Sequence, residues 1–336
     1  MSARERQDTG APEVLAPMSR PLPWQMRPWT ELVAMAPAER LPHGLLLEAK
    51  NGTGRLDFGI ALARYLLCET PSEVGNCGEC RNCLHTASGA HGDLRQLLPE
   101  EKGRAIGIDA VRGAIDFVHG SATRGQRKVL LVYPANAMTT AAFNAFLKCL
   151  EEPSPGTHIL MLSTAGHALP ATIRSRCQRW SLGAPTKTEA IQWLNTALRD
   201  NPETKADPGA ESLLALCNDQ PLDALALARD GTGQALANIA ARLTEGGLAG
   251  PNQLAETARL AAGVDPERFL DLLEARLQSA LRTMDAAALR AASGRQGLAA
   301  LDEVHRLRAA QRSGSNPNGD LLRISALSAC CGLWGK

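Results

Sequence analysis

Cys68, Cys77, Cys80 and Cys83 stand as C-x8-C-x2-C-x2-C. Thiolates are soft donors, and four at such short separations can reach the corners of one tetrahedral zinc ion. Four thiolates also close the coordination sphere. The expected ion is therefore structural, contributing on the order of 10 kcal/mol to holding residues 68–83 together. His85 and His91 are spare donors that the spacing does not require. Cys149, Cys177, Cys217 and the Cys330-Cys331 pair have no partner at metal spacing and read as small buried residues.

A second stretch has the layout of a phosphate loop with its working residues exchanged. The G-x-x-x-x-G-K-[ST] pattern cradles phosphate with backbone N–H groups, a lysine and a hydroxyl that binds Mg²⁺. Here the frame reads Ala49-Lys50-Asn51-Gly52-Thr53-Gly54-Arg55-Leu56. Gly54 remains; Ala49, Arg55 and Leu56 take the places of the first glycine, the lysine and the hydroxyl. A helix N-terminus there still attracts anions, but Leu56 cannot ligate Mg²⁺, and arginine does not replace lysine conservatively at a packed phosphate site. The apolar run Val129-Leu130-Leu131-Val132 is a Walker B strand, yet Tyr133 and Pro134 follow where the carboxylates belong. Mg²⁺ and attacking water thereby lose their organiser.

Other candidates carry less chemistry. Glu151 and Glu152 are adjacent on a helix, so they point ~100° apart and do not converge on one substrate; a solvated helix end or a packing role is expected. His43, His119, His158, His167 and His305 are scattered and suggest no triad. Arg104, Arg112, Arg124, Arg127 and Lys128 are basic but mixed with acids and without interleaved aromatics, which favours a solvated face over a DNA contact.

The elements that must position these residues form two regimes. Short apolar strands at 45–47, 93–98, 129–132 and 159–162 alternate with helices at 30–36, 56–67, 109–118 and 143–150, which predicts an α/β domain with a mostly parallel sheet. Asp109 is placed as a helix cap. After Trp180 strands cease. Thr186-Lys187-Thr188-Glu189 is a capping box, and helical patterns continue to Cys331, with breaks at 200–209 and 246–251 and a polar loop at 313–319. Residues 1–27 are expected to be a disordered tail, 28–181 the α/β domain, 182–230 a small helical domain and 231–336 an all-α domain. Met18 and Met26 are both possible starts.

Composition excludes several classes. In 336 residues, 36 Lys+Arg face 35 Asp+Glu for a net charge of +1, unlike a free-standing nucleic-acid binder. Apolar residues at 44% supply ordinary cores, and aromatics at only 4% leave Ala and Leu to favour helix. No apolar run approaches the ~18 residues of a membrane span, and no signal peptide is visible. Nine cysteines in such a chain point to a cytoplasmic protein with reduced thiols.

The order of these pieces is distinctive. After the loop and the cysteines come Ile108-Asp109-Ala110-Val111-Arg112, Lys128 to Val132, then Phe146-Leu147-Lys148-Cys149-Leu150-Glu151-Glu152-Pro153. Ser163-Thr164 and Ile173-Arg174-Ser175-Arg176-Cys177 complete the set. Over roughly residues 28–230 this resembles the bacterial DNA polymerase III clamp-loader family of AAA+ proteins. The remainder fits that family's collar by length and helicity only. The resemblance implies an AAA+ P-loop-type domain with an inserted zinc module, a helical lid at 182–230 and a collar that mediates oligomerisation at 231–336. Motor subunits (tau and gamma) of the family keep both Walker motifs and a sensor-2 arginine, where this chain has Leu222. The combination is similar to the delta-prime branch. That implies a replication stator which does not hydrolyse ATP. Its partners are motor subunits and delta and, through the complex, the sliding clamp and primer-template DNA. Carried over, Arg176 is an arginine finger acting in trans on a neighbour's ATP, an effect of about 10³–10⁵ in rate; Arg174 and Arg179 lie outside the motif position. Thr164 falls at sensor 1. The alternatives are an active AAA+ clamp-loader ATPase, and a zinc-dependent nucleic-acid-binding module, against which the balanced charge argues.

Overall fold

The computed structural model describes residues 16–38, 40–100, 104–125, 127–167, 169–201, 208–245, 251–312, 318–331 and 333. The chain divides into two compact units, Met1–Pro185 and Thr186–Lys336.

The first unit runs α1 (Met26–Met35), β1 (Gly44–Ala49), α2 (Arg55–Leu67), α3 (Arg81–Ala87), β2 (Leu94–Leu97), α4 (Ile108–His119), β3 (Lys128–Val132), α5 (Thr140–Glu151), β4 (Thr157–Thr164), α6 (Ala171–Arg174) and β5 (Gln178–Ser181). The strands form one sheet in the order β2-β3-β4-β1-β5, every pair parallel. Leu45 stands opposite Leu160 and Gln178, and Leu130 opposite Ile159. Both faces are covered, which is why the central strands read as unbroken apolar runs. Alternation then sorts their side chains. Leu45, Leu47, Val129, Leu131, Leu160 and Leu162 join α1 and α2 in one core; Leu46, Leu130, Val132, Ile159 and Met161 join α4 and α5 in the other. Gly59 lets α2 approach the sheet closely: a Cβ there would sit 2.7 Å from Leu162 Cδ1.

The second unit is helical throughout its described residues: α7 (Lys187–Asp200), α8 (Ala210–Leu216), α9 (Pro221–Asp230), α10 (Gly233–Glu245), α11 (Pro251–Ala261), α12 (Pro266–Thr283), α13 (Ala286–Arg290), α14 (Ala292–Arg312) and α15 (Gly319–Ala329). Thr186 and Glu189 form the capping box that opens α7. One hydrophobic cluster runs from Ala190 and Leu194 through Leu236 and Phe269 to Leu327 and Cys330. The core is therefore continuous across the expected boundary at 230/231.

Several expectations change. Residues 16–27 are not a disordered tail: buried hydrogen bonds tie Ser19, Trp24 and Gln25 to the first unit, and α1 starts at Met26. The part of the expected tail at 1–15 lies outside the described residues, as do 202–207, 246–250 and 313–317. Asp109 does not cap α4. Gly107 occupies the N-cap, and Asp109 sits in the first turn, 2.7 Å from Arg112. β5 and α11 were not anticipated. β5 is an edge strand, Gln-Arg-Trp-Ser, without an apolar run, and α11 begins at a proline that reads equally well as a break.

Candidate functional site

The four predicted cysteines converge. Cys68 follows α2 directly, Cys80 caps α3, and Cys83 lies in the first turn of that helix. Their four Sγ atoms lie within 4.8 Å of one another. Cys68 and Cys80 are 4.0 Å apart, Cys77 and Cys83 3.8 Å. Zn–S bonds of about 2.3 Å in a tetrahedron demand S···S edges of about 3.8 Å, so the donor set fits zinc in both chemistry and size. Backbone N–H groups already point at the sulfurs: Cys77 N–H to Cys68 at 3.3 Å, Cys80 N–H to Cys77 at 3.3 Å and Cys83 N–H to Cys80 at 3.4 Å. A hydrogen bond with Thr70 draws the Cys77 thiol down to about 6, while burial pushes Cys68 up to about 12. A divalent cation favours the thiolate at both positions. Neither His85 nor His91 belongs to this group among the described residues.

A strap of residues 16–25 binds this module to the phosphate-loop frame. Arg64 is only 1% exposed. It donates to the carbonyls of Ala16 (2.6 Å), Pro17 (2.9 Å) and Cys83 (3.3 Å) and to the hydroxyls of Ser19 (2.6 Å) and Thr86 (3.1 Å). Asn76, equally buried, donates to Pro17 O at 2.9 Å and Cys83 Sγ at 3.0 Å, and accepts from Ser19 N–H at 2.8 Å. Further along, Trp24 Nε1 and Gln25 Nε2 each donate to Thr53 O at 3.0 Å, and Gln25 also to Gly54 O at 2.9 Å. Gly54 has φ +83°, and a Cβ on it would collide with Leu22 Cδ1.

Two of the exchanged residues, Arg55 and Tyr133, engage each other. Ala49 ends β1 buried, and Arg55 opens α2 beside Leu56. Arg55 donates to Asn51 Oδ1 at 2.7 Å and lies 5.2 Å from the centroid of the Tyr133 ring, a cation–π distance. Thr164 donates its hydroxyl to the same Asn51 oxygen at 3.2 Å and its N–H to Asn136 Oδ1 at 3.4 Å. Arg55, Tyr133, Asn51, Thr164 and Asn136 thus form one network, and none of the five is a carboxylate. Tyr133-Pro134 is a cis peptide.

Arg176 sits in the turn after α6. Its Nε and Nη2 lie 2.8 Å and 2.6 Å from Glu151 Oε1. Nη1 donates to Thr172 O at 3.0 Å and Ser175 Oγ at 3.3 Å. Arg179 points to a different carboxylate, Glu48 Oε2, at 2.9 Å, and Arg174 is exposed.

A family profile described as DNA polymerase III, delta subunit, matches residues 24–186. The delta-prime subunit of DNA polymerase III from Pseudomonas aeruginosa is 38% identical over 217 residues, which are 65% of this chain and 64% of that protein. The Escherichia coli delta-prime subunit is 36% identical over 213 residues, 63% of this chain and 62% of its own. These matches make the chain similar to the delta-prime subunits of the clamp loader. It spans less than two thirds of the length of these relatives. The crystal structure of a DNA polymerase III gamma subunit-related protein from Thermotoga maritima shares the fold: TM-score 0.51, 20% identity, 88% of this chain and 97% of that one covered.

The sequence picked out the four cysteines, which the structure brings together, and five exchanged positions, of which Arg55 and Tyr133 meet. It did not pick out Arg64, Asn76 or Gln25. Arg64 was detectable in principle, as a cation among the buried apolar residues of α2. Glu151 is exposed at the end of α5, as expected of a solvated helix end, and it is also the counter-ion of Arg176. Lys128 is neither a solvated face nor a DNA contact. It is 5% exposed, donates to Phe117 O at 2.6 Å and Gly120 O at 3.0 Å, and lies 4.2 Å from the centroid of the Phe117 ring.

Proposed function

We propose that this chain is a delta-prime-like subunit of the DNA polymerase III clamp loader, part of the replicative DNA polymerase holoenzyme. In this reading it acts in the cytoplasm as a stator: it hydrolyses no ATP itself and lends Arg176 in trans to the ATP of a neighbouring motor subunit. The observation that carries the reading is the closed network at the phosphate-loop frame. Arg55 is spent on Asn51 and Tyr133, Leu56 has no oxygen for Mg²⁺, and Tyr133 and Pro134 follow β3 in place of acids. A motor needs those groups free and aimed at a γ-phosphate, so the same network argues against an active clamp-loader ATPase.

Arg176 suits the finger role chemically. A part-exposed guanidinium on a fixed turn is able to stabilise charge on a transferring phosphoryl group. The partners in this reading are tau or gamma motor subunits and delta, with the sliding clamp and primer-template DNA met through the complex. In this reading residues 182–230 form a small helical lid and 231–336 a collar that mediates oligomerisation. A zinc ion on Cys68, Cys77, Cys80 and Cys83 is structural, because four thiolates leave no position for substrate. Among the described residues no helix is long and apolar enough to cross a membrane. Arg176→Ala tests the finger. The variant should assemble normally with motor subunits and delta but cut DNA- and clamp-stimulated ATP hydrolysis by about 10³-fold or more. Wild-type turnover by such a complex would remove the assignment.

A further inference from the structure

Glu151 ends α5 and Arg176 follows α6, yet the two side chains meet through two guanidinium nitrogens on one carboxylate oxygen, at 2.8 Å and 2.6 Å. The helix does not account for the glutamate. A carboxylate in the last turn lies against the negative end of the helix dipole, where it is disfavoured. Folding stability does not account for the pair either: its side chains are 34% and 45% exposed, and such ion pairs add little.

The arrangement does fix the arginine. A guanidinium carries five N–H groups in a rigid plane. Hydrogen bonds to Glu151, Thr172 and Ser175 occupy three of them, and Nη2 is held against the same Glu151 oxygen as an ion pair. The turn is also held from behind, since a Cβ on Gly44 would lie 3.0 Å from the Arg176 carbonyl oxygen. An arginine on a flexible stem loses rotamer freedom when it engages phosphate, and a contact that restricts it beforehand reduces that loss.

We propose that Glu151 is a positioning residue: it holds the Arg176 guanidinium in the orientation from which it reaches the phosphates of the neighbouring subunit's ATP. This rests on the arginine-finger reading of Arg176. Glu151 touches no nucleotide itself; its effect passes entirely through Arg176.

The test uses the full chain assembled with its motor and delta partners, with assembly of each variant checked by size exclusion. DNA- and clamp-stimulated ATP turnover is measured for wild type, Glu151→Ala, Glu151→Gln, Arg176→Ala and the Glu151→Ala/Arg176→Ala pair. Glu151→Ala should lower kcat by about tenfold with KM for ATP unchanged. Glu151→Gln, which keeps an acceptor and loses the charge, should fall between it and wild type. The double variant should be no slower than Arg176→Ala alone, because Glu151 has nothing left to position. If Arg176→Ala is slow while both Glu151 variants match or exceed wild type, the positioning role is overturned and the finger stands. A double variant slower than Arg176→Ala also overturns it, since Glu151 would then act by another route. If Arg176→Ala turns over like wild type, the finger reading fails first and this one with it.

Discussion

At Arg55 the guanidinium reaches back four residues to Asn51 and lies over Tyr133, so the cation at the lysine position of the phosphate-loop frame is already engaged within the chain. Restoring the loop alone should therefore restore nothing. Arg55→Lys combined with Leu56→Thr is expected to show no Mg-dependent ATP turnover by the isolated chain, because Tyr133 and Pro134 still stand where the water and metal need carboxylates. A steady-state phosphate-release assay checks this. Gly54 offers a stability test at the same loop. Its φ of +83° is strained for any residue with a Cβ, and that Cβ would also have to displace the Leu22 methyl, so Gly54→Ala should cost about 1–3 kcal/mol by denaturant titration. The exchanged positions were legible because a phosphate loop is contiguous in sequence and each residue has a fixed place in it. Glu151 was not, because its partner lies 25 residues away and only its neighbours on α5 had been weighed.

The cysteine module, the strap and α2 behave as one element. Asn76 bridges Cys83 Sγ to Pro17 and Ser19, and Arg64 spans Cys83 O and residues 16–19. Metal removal by a chelator should accordingly raise amide exchange across residues 17–25 as well as 68–83, while β1, β3 and β4 keep their protection. Arg64→Ala leaves buried carbonyls without donors and should destabilise the first unit by about 2–4 kcal/mol in an unfolding titration. A second buried charge sets an acid limit. Burial works to raise the Asp93 pKa, but the N–H groups of Thr123 and Arg124 and the Thr123 hydroxyl outweigh it and hold the carboxyl below its ordinary value of 3.8. A depressed folded pKa means stability present above the unfolded value and lost as pH falls through the folded one. Asp93→Asn should be less stable than wild type at neutral pH and approach it below pH 3.8, as followed by thermal melts across that range. The cysteine spacing announced the module. The strap stayed hidden because prolines and polar residues without periodicity look like a tail until a buried arginine and asparagine claim their backbone groups.

On the scale of the whole molecule, two units each enclose their own apolar cores: two across the sheet in Met1–Pro185, and one among the helices of Thr186–Lys336. The alternation of short apolar runs with helices made the parallel sheet readable, since buried parallel strands have little freedom in composition. The helices of the second unit were readable from their periodicity. The packing of their faces was not, because nothing in a helical pattern says that Leu213, Leu236 and Phe269 will meet in one cluster. A net charge of +1 gives the chain no basic excess with which to bind nucleic acid by itself. In the proposed function the chain completes a neighbour's ATPase site while having none of its own. Mg-ATP binding and turnover should be measured on the purified chain alone, and then on a mixture with the motor subunit and delta. No turnover is expected from the chain alone, and DNA- and clamp-stimulated hydrolysis in the mixture should depend on this chain's presence. Saturable Mg-dependent hydrolysis by the chain alone would contradict the proposed function.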